Sequence, residues 1–166
     1  MSAAAQPRTR AFSWEDPAAA EGSALRMSGL EYLQAIIDGQ LPPPPFARAL
    51  EAELLEVEPG RALFAAQPAE WMYNALGSVH GGLVATLLDS CMGCAVHSTL
   101  ETGVGFTTSD LQVRYIRPLT VQSGRMLADG RVVHRGRTTA TAEGRVFAAD
   151  GGSLIAHATT GCVILR

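Results

Sequence analysis

The chain has 166 residues, 47% of them hydrophobic, and a formal net charge of -3, which is enough for one well-buried domain and is neither disordered nor fibrous in composition. All 13 basic residues are arginine; the lack of lysine excludes a Schiff-base lysine and a Walker-type phosphate loop, and the mild acidity opposes general nucleic-acid binding. No apolar run reaches the roughly 18 residues of a membrane span, and Arg8 and Arg10 have no apolar stretch behind them as a secretory leader requires, so a cytoplasmic protein that does not engage membranes is expected.

Residues 1–27 are rich in Ala, Pro and charge without periodicity and read as a poorly ordered arm or a packing extension, with the folded domain over 28–166. In "SGLEYLQAIIDG", Leu30, Leu33, Ile36 and Ile37 fall at helical spacing, with Ser28 as cap and Gly39 as stop. "PPPP" at 42–45 breaks the chain. The stretch from Glu51 to Val57, the Pro59-Gly60 turn and "RALFAAQ" predict a hairpin. Gly81 to Val96 is apolar or small at nearly every position and reads as one long buried helix. After residue 103 the character changes to about four antiparallel strands bounded by Gly-rich turns, among them "ADGG" at 149–152. In the first of them Leu111, Val113 and Tyr115 alternate with Gln112, Arg114 and Ile116 up to Pro118. A curved antiparallel sheet wrapping one helix accommodates these elements.

Asp89 is out of place in that helix. A carboxylate in an apolar segment costs several kcal/mol unless it is paired, hydrogen-bonded or used, and no Lys or Arg lies within a helical turn of it. The three cysteines are too few for a disulfide framework. Cys91 and Cys94 form a C-x-x-C, but they lie inside the helix instead of opening it, and no His stands at metal-ligand spacing from another ligand, so they read as small core residues and no metal site is expected.

The pattern Asn74, Gly77, His80, Gly81, Gly82, Asp89 in "NALGSVHGGLVATLLD", followed by "TTSDLQVRYIRP", resembles the hotdog-fold acyl-CoA thioesterases of the phenylacetic-acid-degradation (PaaI-like) family over roughly residues 50–165. The resemblance implies an α+β hotdog fold, with a five- to six-stranded antiparallel sheet around a long central helix, assembled as homodimers and often homotetramers (dimers of dimers). It implies hydrolysis of an acyl-CoA thioester, with coenzyme A entering only as part of substrate and product and no cofactor.

A helix starting near Gly81 presents free amides and a positive dipole end there, a site for a carbonyl oxygen becoming an oxyanion. Asp89, eight residues on, is about 12 Å further along the axis at ~1.5 Å per residue, so one thioester does not touch both ends, whereas two antiparallel central helices bring Asp89 of one chain opposite Gly81 of the other. By the same resemblance Asp89 acts as general base or nucleophile, Gly82 allows close approach, Asn74 holds water or thioester, His80 orients the loop, and Thr108, with Thr107 as its neighbour, supplies a hydroxyl near the acid. Tyr115 and the "HRGRT" turn, with His134, Arg135, Gly136, Arg137 and Thr138, are the expected substrate-binding positions, the turn holding the nucleotide phosphates. Ala75, Leu76, Leu83, Thr86, Leu87 and Phe106 are candidate lining for an aromatic or short-to-medium acyl group. The rival readings are a non-catalytic acyl-CoA-binding hotdog protein and a hotdog dehydratase or hydratase using His80 with Asp89. An α/β-hydrolase is opposed by the missing G-x-S-x-G elbow.

Overall fold

The computed structural model describes residues 6–150 and 152–166. Among these residues four α-helices and six strands follow in the order α1 (Ala18–Ala24), α2 (Gly29–Ile37), α3 (Pro45–Leu50), β1 (Glu53–Glu58), β2 (Arg61–Ala66), α4 (Gly81–His97), β3 (Gly105–Tyr115), β4 (Met126–Arg135), β5 (Thr139–Ala148) and β6 (Leu154–Leu165), with short 3-10 turns at Glu70–Met72 and Val121–Ser123. All neighbouring strands are antiparallel, in the order β1-β2-β4-β5-β6-β3, which leaves β1 and β3 at the edges.

Local chemistry explains most boundaries. Ser28 caps α2 through a capping box with Glu31, which satisfies two otherwise orphaned amides. Gly39 and Gly60 take the positive φ values expected of a helix stop and a hairpin turn. The polyproline run does more than break the chain: its last member, Pro45, is the first residue of α3, where a missing N–H costs nothing. Short α1 lies in the segment read as lacking periodicity, and residues 1–5 and Gly151 of the "ADGG" turn lie outside the described residues.

The core forms where α4 meets the concave sheet. Leu87, Leu88, Met92 and Val96 of the helix are almost fully buried against inward side chains such as Met126, Ala142, Val146 and Ala156. The central strands are lined with small residues because the helix backbone lies close. A Cβ on Gly130 would overlap the Cys91 carbonyl, and one on Gly144 would sit 2.9 Å from Met92 Cγ. Contrary to the expectation of burial on nearly all faces, α4 keeps a partly exposed stripe of Gly82, Ala85, Thr86, Asp89, Ser90, Cys94 and His97, at the three- and four-residue spacing of one helix face. Asp89 lies in the middle of that stripe.

Candidate active site

The candidate residues fall into three groups. The first is the Asp89–Thr108 pair: the Thr108 hydroxyl donates to Asp89 Oδ1 at 2.8 Å. A bulge in β3 makes this possible. The register against β6 shifts between Thr108 and Asp110, so the helix-facing positions change from Phe106 and Thr108 to Leu111 and Val113 across it. One extra residue re-aims every side chain beyond it, and for this reason Thr108 reaches the acid while Thr107 faces outward. Cys94 and Cys162 border the carboxylate: burial first and the Asp89 charge second push Cys94 up to about 12 and also raise Cys162. Burial likewise pushes Cys91 up. Thiols held protonated in this way are poor nucleophiles, in keeping with small core residues.

The second group surrounds the start of α4. His80 is its N-cap, and its Nδ1 accepts the Gly82 N–H at 2.9 Å, so the ring proton of neutral His80 sits on Nε2. Tyr115, at the end of β3, donates its hydroxyl to the Gly81 carbonyl at 2.9 Å, and its ring covers Gly81 so closely that an added Cβ would sit 3.1 Å from Cζ. The peptide between Gly81 and Gly82 is therefore held at both its C=O and its N–H. The preceding amide, Gly81 N–H, has no hydrogen-bond partner among the described residues and lies at the positive end of a 17-residue helix. It is a preset donor for an anionic oxygen. Asn74 is spent on its own loop, where its Oδ1 accepts from Leu76 N and Ser78 N and its Nδ2 donates to Ser78 Oγ. A cleft of about 270 Å³ lies against Gly81 and Tyr115.

The third group is the β4–β5 turn. His134 and Arg137 are exposed, Gly136 N–H bonds to the Thr139 carbonyl and the Thr138 carbonyl accepts from Ile164 N–H, and Arg135 is already paired with Glu101 at 2.7 Å. Its Nε is buried without a hydrogen-bond partner among the described residues. The turn adjoins the end of β6 near Val163, whereas Tyr115 pairs with Ala156 at the other end of that strand. A single chain thus places the turn on the side of Asp89 and Thr108 and away from Gly81.

Of the candidate acyl-lining residues, Leu87 and Phe106 line a groove of about 1060 Å³. Leu83 is buried in the core, Leu76 is exposed at a loop, Ala75 is exposed, and the Thr86 hydroxyl turns back to the Gly82 carbonyl. The groove's other walls, from α2, α3 and the N-terminal segment, carried no sequence signal beyond the apolar spacing of α2.

A sequence model of the Thioesterase superfamily matches residues 76–155. Acyl-coenzyme A thioesterase 13 of Mus musculus is 30% identical over 115 residues, covering 69% of this chain and 81% of the mouse protein. Among solved structures, a Ralstonia eutropha JMP134 protein described as a "putative thioesterase, phenylacetic acid degradation-related protein" superposes with TM-score 0.71 at 27% identity, over 80% of this chain and 98% of that one. The PaaI protein of E. coli shares the fold with TM-score 0.72 at 20% identity, over 86% and 96% of the two chains. With a thioesterase relative matched over most of both chains and the fold shared with a phenylacetic-acid-degradation-related protein, the chain belongs to the thioesterase superfamily, in its hotdog-fold, PaaI-like branch.

Proposed function

We propose that the protein hydrolyses acyl-CoA to a free carboxylic acid and coenzyme A at sites shared between two chains. The observation that carries this reading is the separation, on one α4, of a free helix-start amide at Gly81 from a carboxylate at Asp89 whose Oδ1 is already engaged by Thr108. A second copy running antiparallel brings the two together. The half-open stripe on α4 and the unpaired edge of β3 are the surfaces such a copy would cover, and a dimer of dimers extends the same scheme.

In that site the Gly81 N–H receives the thioester oxygen as it becomes an oxyanion. Asp89 of the other chain either takes a proton from water, whose oxygen adds to the carbonyl carbon, or attacks that carbon itself. Collapse of the tetrahedral species breaks the C–S bond, and the thiolate leaves to be protonated as coenzyme A. On the nucleophilic route the acyl–aspartyl anhydride is then hydrolysed by water, so a burst of thiol ahead of acid release marks that route and matched rates mark the general-base one. Neither route calls for a metal or redox cofactor. Gly82, bearing no side chain, leaves room for the acyl carbon, and Asn74 keeps the Gly81 loop in shape. The His134–Thr138 turn receives the nucleotide phosphates, with Arg135 exchanging Glu101 for phosphate oxygen. His80 is a cap and not the base, which disfavours a dehydratase.

The test is thiol release from a panel of acyl-CoA substrates, followed with a thiol reagent. Turnover of at least one acyl-CoA is expected. Binding without turnover would make the protein an acyl-CoA carrier, and consumption of a 3-hydroxyacyl-CoA without thiol release would make it a dehydratase.

A further inference from the structure

The groove of about 1060 Å³ has two unlike ends. One is walled by α4 and β3 through Gly93, Cys94 and Phe106. This end adjoins the candidate site: the Phe106 ring covers Gly93, where an added Cβ would sit 3.1 Å from it, Gly93 lies one helical turn beyond Asp89, and Phe106 faces the same way as Thr108 two residues on. The other end includes Phe12, Ser13 and Glu15 of the N-terminal segment, which precedes the matched region 76–155. That segment is fastened in place. Arg10 lies 3.9 Å over the Trp71 ring and 5.7 Å over Phe12, donates to the Ala49 carbonyl at 2.6 Å and pairs with Glu51 at 2.9 Å. Arg48 pairs with Glu15 at 3.3 Å. A guanidinium stacked on an indole and bonded to a helix-end carbonyl is a strong local anchor.

Resting on the thioesterase reading, we infer that residues 10–15 form the end wall of the acyl groove and set the longest chain the enzyme accepts, with Phe12 as the stop and Arg10 as its anchor. The occupant is a straight aliphatic acyl chain. The groove begins at Ser90, Gly93 and Cys94, within about one helical turn of Asp89, its apolar lining is Leu, Ile, Pro and Phe, and its charged residues pair at the rim. Its volume of about 1060 Å³ is slightly above the roughly 300–1,000 Å³ typical of ligand pockets, more than a single aryl ring fills.

The experiment measures kcat/KM for butyryl-, octanoyl- and tetradecanoyl-CoA with the full-length protein and its Phe12→Ala and Arg10→Ala variants, with melting temperature and sedimentation as controls. Phe12 is exposed and Arg10 half-buried in the N-terminal segment, and neither belongs to the core between α4 and the sheet, so the fold is retained. The ratio of tetradecanoyl to butyryl specificity should rise about tenfold or more in each variant, the scale on which apolar pockets discriminate chain length. An unchanged or lowered ratio overturns the inference, as does a change of oligomeric state without a change of ratio, which would mean that a second copy of the chain occupies the groove. Hydrolysis of no acyl-CoA by the unmodified protein defeats the thioesterase reading itself and the inference with it, an outcome separable from a flat chain-length profile.

Discussion

Replacing Asp89 by Asn exchanges one carboxylate oxygen for an amide nitrogen of similar size, and the Thr108 hydroxyl still has the amide oxygen to donate to. The fold is therefore expected to persist while thiol release falls by about 100-fold or more, the scale of a lost general base. A purified Asp89→Asn protein with near-normal rates would make the carboxylate structural. Tyr115→Phe probes the other half of the site. It keeps the ring packed on Gly81 and removes only the bond to the Gly81 carbonyl. Because an oxyanion exists only in the transition state, kcat should drop about five- to tenfold, the worth of one hydrogen bond, with KM nearly constant; an equal rise in KM would show that Tyr115 binds substrate directly. Asp89 was legible in the sequence because an unpaired charge in an apolar helix demands a reason. Thr108 over Thr107 was not decidable from alternation alone, since the bulge that breaks the alternation depends on pairing with β6. Asn74 stood out by its place in the motif, but its loop-closing role depends on backbone neighbours that only the folded turn assembles.

Among the elements, α2, α4, the β1–β2 hairpin and the last four strands could be read from periodicity and turn residues, because burial of one face dictates spacing. Helix α3 is marked in the sequence only by a proline at its first position, which the rest of the polyproline run masks, while the docking of residues 10–15 on α3 and Trp71 arises from long-range contacts without local pattern. His97, at the end of α4, packs in tilted geometry with ring centres 5.6 Å from both Tyr32 and Phe106, and burial lowers its pKa from 6.5. The neutral ring therefore contributes stability that is complete above about 6.5 and is lost as pH falls from there through the lower folded value. Urea midpoints measured from pH 7.5 to 5 should decline for the native chain and decline less for His97→Phe. Equal slopes would remove His97 as the cause. At the β4–β5 turn, removing Arg135 and Arg137 together should raise KM for acyl-CoA with a smaller change in kcat, since phosphate contacts are shared by substrate and transition state. The effect should shrink with added salt and nearly vanish with acyl-pantetheine. Equal loss of kcat on both substrates would instead assign these arginines to the framework of the site.

At the scale of the whole molecule, the proposed reading rests on two groups that do not meet within one chain: a free amide where α4 begins and an acid eight residues along it, on a helix face that its own sheet leaves partly open. Helix rise separates Gly81 from Asp89 in the sequence and the family resemblance implies the partner that would join them, but the open stripe and the β3 edge offered to such a partner depend on the strand order. The decisive measurement is activity after subunit exchange between Asp89→Asn and Gly81→Val, the latter placing a side chain against the Tyr115 ring. Each variant alone should be inactive. In a heterodimer one site keeps both intact groups and the other has neither, so random exchange of equal amounts should restore about a quarter of the native thiol-release rate. No recovery after demonstrated exchange would contradict a site built from two chains.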